Sequence, residues 1–342
     1  MRFSHVRMSY IARNNFERWT VANIYIARFH LLPILQGYQG AKSNVFEVHG
    51  HGVYVPFWLR DLIVEPVEGR VFAAFRDVVN VKALGFLIGI ASARIQPNPI
   101  TIVTDLEVDF KHLTNFGDKV LISNGDIVIA RKIIVSYDES NIWVSEPLHG
   151  HVDALRLIPS VHALKTLIKE NGRMEGAGPV IDYIMKEDYP SPESVPKPIR
   201  TYYQPLRKLM RCQAPSILDG IVGLIGLGPG LTPSGDDLLM GFLAARTLLN
   251  GASDTTDIYL DVFRSEFPLL CGRTTLLSEE LLYWASRGQF SKLMTDIMNS
   301  IADGDISGVR ASALNMMTQF GATSGTDTLI GIVAGLSSMA SP

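Results

Sequence analysis

Residues 226–245 read GLGPGLTPSGDDLLMGFLAA. A helix start ordinarily needs one capping side chain and at most a proline. Here the lead-in GLGPG (226–230) and a turn-prone Thr232-Pro233 come first. Ser234-Gly235-Asp236-Asp237 follows, and the apolar helical pattern begins only at Leu238-Leu239-Met240. Glycines are entropically costly, so such a cluster marks a tight turn or a place where a ligand approaches the main chain.

A second version of the stretch closes the chain. TPSGDDLLMGFLA (232–244) aligns without gaps onto ATSGTDTLIGIVA (322–334), sharing the pattern S-G-x-D-x-L-x-G-x-x-A at a separation of ninety residues. One reading is a pair of well-capped helices, Ser234 and Ser324 as N-caps, with Asp237 and Asp327 three residues on as in a capping box. Gly241 and Gly331, seven residues after each serine, fall on the cap's own face about two turns along and predict that the helices touch there.

The second reading adds a ligand. Gly235 and Gly325 bare the amides of each first turn, and a bared helix N-terminus is an anion site. Ser234 and Ser324 would add hydroxyl donors, and Gly228, Gly230 and Thr232 a concave main-chain wall. Asp237 and Asp327 are the candidate catalytic groups. Between the copies, Arg273-Thr274-Thr275 opens another helix. Thr275 or Ser278 is a plain cap there, or Arg273 grips a carboxylate or phosphate with Thr274 and Thr275 alongside.

Nucleotide readings fail. GPGLTPSGDD has no lysine where a P-loop needs one. GLGPGL lacks the dinucleotide glycine spacing and any surrounding βαβ unit. No cofactor is expected. All eight histidines lie before residue 163, so a general base at the repeat is a carboxylate or comes from another chain. His49-Gly-His51 and His149-Gly-His151 pair imidazoles on one face of an extended strand. They read either as metal ligands or as turn residues; no carboxylate is patterned beside them, and no metal is expected.

The 342 residues, 47% hydrophobic and 19% charged, carry a net charge of −3. That balance excludes the basic footprint of a nucleic-acid binder. Two distant cysteines, Cys212 and Cys271, suit a reducing cytoplasm and exclude a disulfide scaffold. No apolar run reaches membrane-spanning length. The arginine-rich, acid-poor start has some transit-peptide character. It reads rather as a poorly packed extension over 1–40, with Met8 an alternative start.

From 41 to 158 the chain reads as strands: Val53–Val55, Thr101–Thr104, Val120–Ser123, Ile127–Ala130 and Ile142–Ser145, with a hairpin at Asn124-Gly125 and a turn over Tyr137–Asn141. One helix is expected near Val71–Gly85. A helical, proline-punctuated connection (159–200) leads to a helical domain (201–342). Its helices are expected over 202–211, 234–249, 276–287, 289–302, 306–320 and 324–338. The expected fold is α+β, a small β-barrel or sandwich followed by helices.

GLGPGLTPSGDDLLMGFLAA, RTTLLSEELLYWASRGQF (273–290) and GATSGTDTLIGIVAG (321–335) resemble, in order and spacing, three signature blocks of the AllH family. The resemblance covers about residues 220–336, with a weakly patterned match from Gly69. It implies a subunit of oxamate carbamoyltransferase, which converts oxalurate and phosphate to oxamate and carbamoyl phosphate in anaerobic allantoin breakdown. It also implies two other subunits as partners, one acyl-CoA synthetase-like, and a small anionic substrate. Some members carry other residues at position 235, which weakens a bared-amide role for Gly235. The S-T-R-T motif of better-known transcarbamoylases is absent; Arg273-Thr-Thr only echoes it. Two alternatives stand: a non-catalytic assembly subunit, and a stand-alone enzyme or binder for another small carboxylate.

Overall fold

The computed structural model describes residues 48–62, 66–123, 125–146, 148, 154–184, 190–251 and 257–338. The extension over 1–40, Met8, Asn124 and His149-Gly-His151 lie outside the described residues.

The fold is α+β, with an eight-stranded β-barrel region ahead of a helical region. The barrel strands are β1 (Val48–Pro56), β2 (Val67–Ala74), β3 (Val78–Ala83), β4 (Phe86–Ala91), β5 (Thr101–Thr104), β6 (Lys119–Ile122), β7 (Asp126–Ile129) and β8 (Ile133–Ser136). They run β5-β4-β3-β2-β6-β7-β8-β1, and β1 pairs back onto β5 to close the barrel. The short β9 (Ile142–Trp143) adds parallel to the end of β1. Alternating β-branched residues fill the interior: Val79, Val81, Ile90, Ile102, Ile122, Ile127, Ile129, Ile133 and Val135 are all fully buried.

Residues 71–85 are not helical. They form most of the antiparallel β2–β3 hairpin, with Val71 opposite Val81 and Ala74 opposite Val79. Their apolar spacing fits either period over so short a run; the β-branched Val78-Val79-Asn80-Val81 and its barrel partners decide for strand. The helices of this region are the short α1 (Phe57–Leu62) and α2 (Phe110–Leu113). Gly125 takes φ +104° between β6 and β7, whose pairing of Ile122 with Ile127 makes the expected hairpin.

The helical region comprises α3 (Ala154–Asn171), α4 (Ile181–Ile184), α5 (Lys197–Leu209), α6 (Ala214–Leu224), α7 (Ser234–Asn250), α8 (Ile258–Leu270), α9 (Leu276–Ala285), α10 (Lys292–Asp303), α11 (Ile306–Gln319) and α12 (Ser324–Ser337). Sequence periodicity misses α6 and α8; Pro268 interrupts the pattern of α8, whereas Pro215 sits in the first turn of α6, where a proline fits the helix. Helices α7 and α12 are its axis. Residues 234–245 and 325–336 are buried on every face, as expected for helices enclosed by other helices.

The two run side by side in the same direction, without an intervening side chain at their crossing. A Cβ on Gly241 would stand 2.0 Å from Thr328 O, and one on Gly331 would stand 2.1 Å from Leu238 O. The spacing of both glycines from the repeat serines therefore places them at the crossing, as expected. Against the barrel, α9 packs on β4. Trp284 stacks on Trp58 with ring centroids 5.5 Å apart, and Glu280 Oε1 accepts the Leu87 N–H at 3.3 Å.

Candidate functional site

The lead-in is a clamp of left-handed glycines. Gly226, Gly228 and Gly230 all have positive φ, at +72°, +115° and +102°. Gly226 has a neighbour that forbids a side chain, and Gly228 has tight ones. A Cβ on Gly226 would lie 2.2 Å from Arg273 O, and one on Gly228 would lie 3.1 Å from both Ser234 N and Tyr202 Oη. Gly230 faces open space.

Asp236 ties this loop down. Its Oδ1 accepts the Gly226 N–H at 2.8 Å and its Oδ2 accepts the Thr274 hydroxyl. Thr275 bonds Leu231 O through its hydroxyl and caps α9 by accepting the Ser278 N–H at 3.1 Å, the plain capping role. In the second copy Thr326 stands where Asp236 does in the first. Its hydroxyl oxygen accepts the Arg173 N–H at 3.0 Å, so each copy holds the segment that crosses its own N-terminus.

The repeat serines are not N-caps. Each is the first helical residue; Pro233 and Thr323 precede them, and neither makes a side-chain cap bond. The hydroxyls turn across the helix pair instead. Ser324 Oγ lies 2.9 Å from Thr232 Oγ1. The Ser324 hydroxyl also eases the charge on the Asp237 carboxyl, and Ser234 does the same for Asp327. The N-termini therefore meet within hydrogen-bonding distance. The glycines beside the serines have a packing reason: Cβ atoms on Gly235 and Gly325 would strike Leu224 O at 2.0 Å and Met316 O at 2.4 Å. The Gly235 N–H is already donated to Leu227 O at 2.8 Å.

The two aspartates sit in an electrostatic environment that favours their neutral forms. Burial pushes the Asp237 carboxyl well above its ordinary range, and the neighbouring Asp327 and Asp236 push in the same direction against the hydroxyl of Ser324. Burial raises Asp327 to about 6, opposed by the Ser234 and Thr323 hydroxyls and by the Ala177 N–H, which its Oδ1 accepts at 3.0 Å. Oδ2 of each carboxyl is buried without a well-formed hydrogen bond. Buried polar atoms in that condition are rare in native proteins and call for a physical account.

Asp237 opens onto a cleft of about 450 Å³ that it shares with Thr232 and Ser324. The same cleft is lined by Arg94, Ile95, Gln96, Asn98 and Pro99 of the loop after β4. Three expected site residues thus share one cavity, with Ser234 and Asp327 packed behind them. Gly228, Thr274 and Thr275 buttress the loop. Arg273 is exposed and outside the cleft lining; its carbonyl, against Gly226, is what the loop uses. Sequence reasoning passed over Asp236, whose signal was the doubled acid in SGDD. It also passed over Arg94 and Asp77, which carry no motif.

His49 and His51 are exposed on one face of β1, as extended geometry requires, and His51 Nδ1 lies 3.4 Å from Asp105 Oδ2. Among the described residues no group of three or more His, Cys, Asp or Glu is arranged to hold a metal. Among them, too, no helix is long and apolar enough to cross a membrane.

Residues 224–336 match the family model described as oxamate carbamoyltransferase subunit AllH, and residues 57–142 match the AllH family N-terminal domain. No curated protein and no solved structure matched the chain. The first match spans the lead-in, both copies of the repeat and the helices between them, the second the barrel strands β2 to β8, and together they cover more than half of the sequence. The chain belongs to the AllH family, named for a subunit of oxamate carbamoyltransferase.

Proposed function

We propose that this subunit binds the small anions of the carbamoyl transfer in the cleft at the paired N-termini, and that Asp237 handles the proton of the reaction. The observation that carries this reading is Asp237, 3% exposed and with a buried, unpartnered Oδ2, lining a cleft beside two helix N-termini. A carboxylic acid kept neutral in an apolar setting can donate a hydrogen bond or a proton to an anionic ligand. The N-terminal ends of α7 and α12 favour negative charge without a metal.

The transfer needs such a proton. A phosphate oxygen attacks the carbamoyl carbon of oxalurate, and the resulting tetrahedral oxyanion collapses by breaking the bond to the amide nitrogen. The departing electron pair stays on that nitrogen, which takes the proton from Asp237 and leaves as oxamate. The proton of the phosphate then returns to the Asp237 carboxylate as carbamoyl phosphate departs. Asp327, with Ser234, holds the helix ends and the Asp237 environment in place.

The test is Asp237→Asn and Asp327→Asn in the enzyme assembled with its partner subunits in the cytoplasm of an expression host. The amide keeps the shape, so the fold should change little. Turnover should fall about a hundredfold or more for Asp237→Asn, the usual range for a lost acid–base group. Normal turnover in Asp237→Asn removes the catalytic assignment. A structural role for the repeat is the second reading, favoured by the backbone-to-backbone crossing at Gly241 and Gly331. It predicts a lower melting temperature with unchanged turnover in the protein that stays folded.

A further inference from the structure

The proposed cleft has two walls, and only one has been given a role. The other is the loop after β4. Its main chain is pinned at both ends: the Ser92 N–H donates to Asp77 O at 3.0 Å, and Pro97 O accepts the Lys292 N–H at the start of α10 at 2.9 Å. Pro99 O accepts the Trp58 indole N–H at 2.6 Å. A loop anchored to the barrel, to Trp58 and to α10 holds its side chains at a set distance from the N-termini of α7 and α12.

Arg94 is the only cation lining the cleft among the described residues. Its guanidinium makes one polar contact there, Nη1 to Asp77 Oδ1 at 3.4 Å, and its side chain is 55% exposed. Most of its five N–H donors therefore remain for a ligand. Asn98 stands nearby in the lining. Its Oδ1 already accepts the Ile100 N–H at 3.1 Å, which leaves the amide hydrogens to donate.

We infer that Arg94, with Asn98, forms a carboxylate subsite in the cleft that Asp237 also lines, so that the cleft selects a short planar acid whose carboxylate meets the barrel wall and whose amide meets the helix ends. A guanidinium fork matches a carboxylate in two parallel hydrogen bonds. Asp77 partly offsets the arginine's charge, which favours a single negative charge over a double one at this end. Phosphate is thereby left to the helix N-termini. The inference rests on the proposed function and adds a specificity-determining residue to it.

The test uses the full-length chain and calorimetric titration with three probes: oxamate, oxamide (its carboxylate replaced by an amide) and inorganic phosphate. Wild-type protein should prefer oxamate to oxamide. Arg94→Ala should weaken oxamate about tenfold to a hundredfold and abolish that preference, leaving phosphate unchanged. Arg94→Lys, which keeps the charge and loses the fork, should fall between. Oxamate binding by Arg94→Ala equal to wild type, while Asp237→Asn weakens it, overturns the subsite and spares the proposed function. A loss of phosphate binding alone overturns the subsite by assigning Arg94 to phosphate. Wild-type protein that binds neither anion overturns both.

Discussion

Replacing Gly331 with alanine tests the helix pair on which the cleft is built. The new methyl would stand 2.1 Å from Leu238 O and 3.0 Å from Phe242 N. The closest ordinary carbon–oxygen contact is about 3.3 Å, so α7 and α12 would have to separate by about 1 Å. Both neighbours are main-chain atoms of a buried helix, and no side chain can swing aside to relieve the clash. Alanine gains about 1 kcal/mol over glycine in helix propensity. Overpacking costs about 1–3 kcal/mol where side chains yield, and more where the backbone must move. We expect a net loss of about 2 kcal/mol, a fall in Tm of roughly 3–6 °C in a chain of this size. Thermal unfolding followed by circular dichroism reads it. The same displacement would stretch the 2.9 Å contact between Thr232 and Ser324, so oxamate affinity should fall with stability. A Tm equal to wild type, or higher by the propensity gain alone, would refute close backbone packing of the two helices. Gly241→Ala should behave alike, since its methyl would meet Thr328 O at 2.0 Å.

Two further outcomes follow from the same cluster. Asp327 loses its proton near its ordinary 3.8 when unfolded and near about 6 when folded. The native state then holds more protons, and unfolding free energy falls as pH rises from about 4 through about 6, by on the order of 3 kcal/mol. Glu280, raised to about 7 by burial, prolongs the decline. Urea denaturation across that range should show the slope, and Asp327→Asn should flatten its lower part; parallel curves for the two proteins would contradict the burial argument. Asp236→Ala leaves the Gly226 N–H and the Thr274 hydroxyl without their acceptor. It should cost about 1–3 kcal/mol and speed hydrogen exchange at Gly226, whereas unchanged protection there would show that the loop holds itself.

Much of the architecture was legible because it is local. Thr101–Thr104 and the hairpin around Gly125 announce themselves through β-branched runs and a turn glycine, and the repeat announces two equivalent helices whose glycines sit at matching positions. Where local signals were ambiguous the reading went astray. Residues 71–85 fit both periods, and only pairing with the neighbouring barrel strands settles them as strand. Pro268 broke the pattern of α8, which is helical because tertiary burial overrides propensity.

The site divides along the same line. Glycines, serines and aspartates at matched spacing mark Asp237 and Ser324 in the chain itself, because a repeated helix start constrains residue type at fixed offsets. Their roles depend on what lies across from them. Ser234 and Ser324 resemble caps until the two N-termini are brought together, when their hydroxyls serve the opposite helix. Asp237 becomes a strained acid only once burial removes water from its Oδ2. Arg94 sits in a loop without any motif, well over a hundred residues from the repeat. Its place in the same cleft as Asp237 comes from the packing of barrel on helices, and no spacing along the chain encodes a distance between segments that meet only when folded.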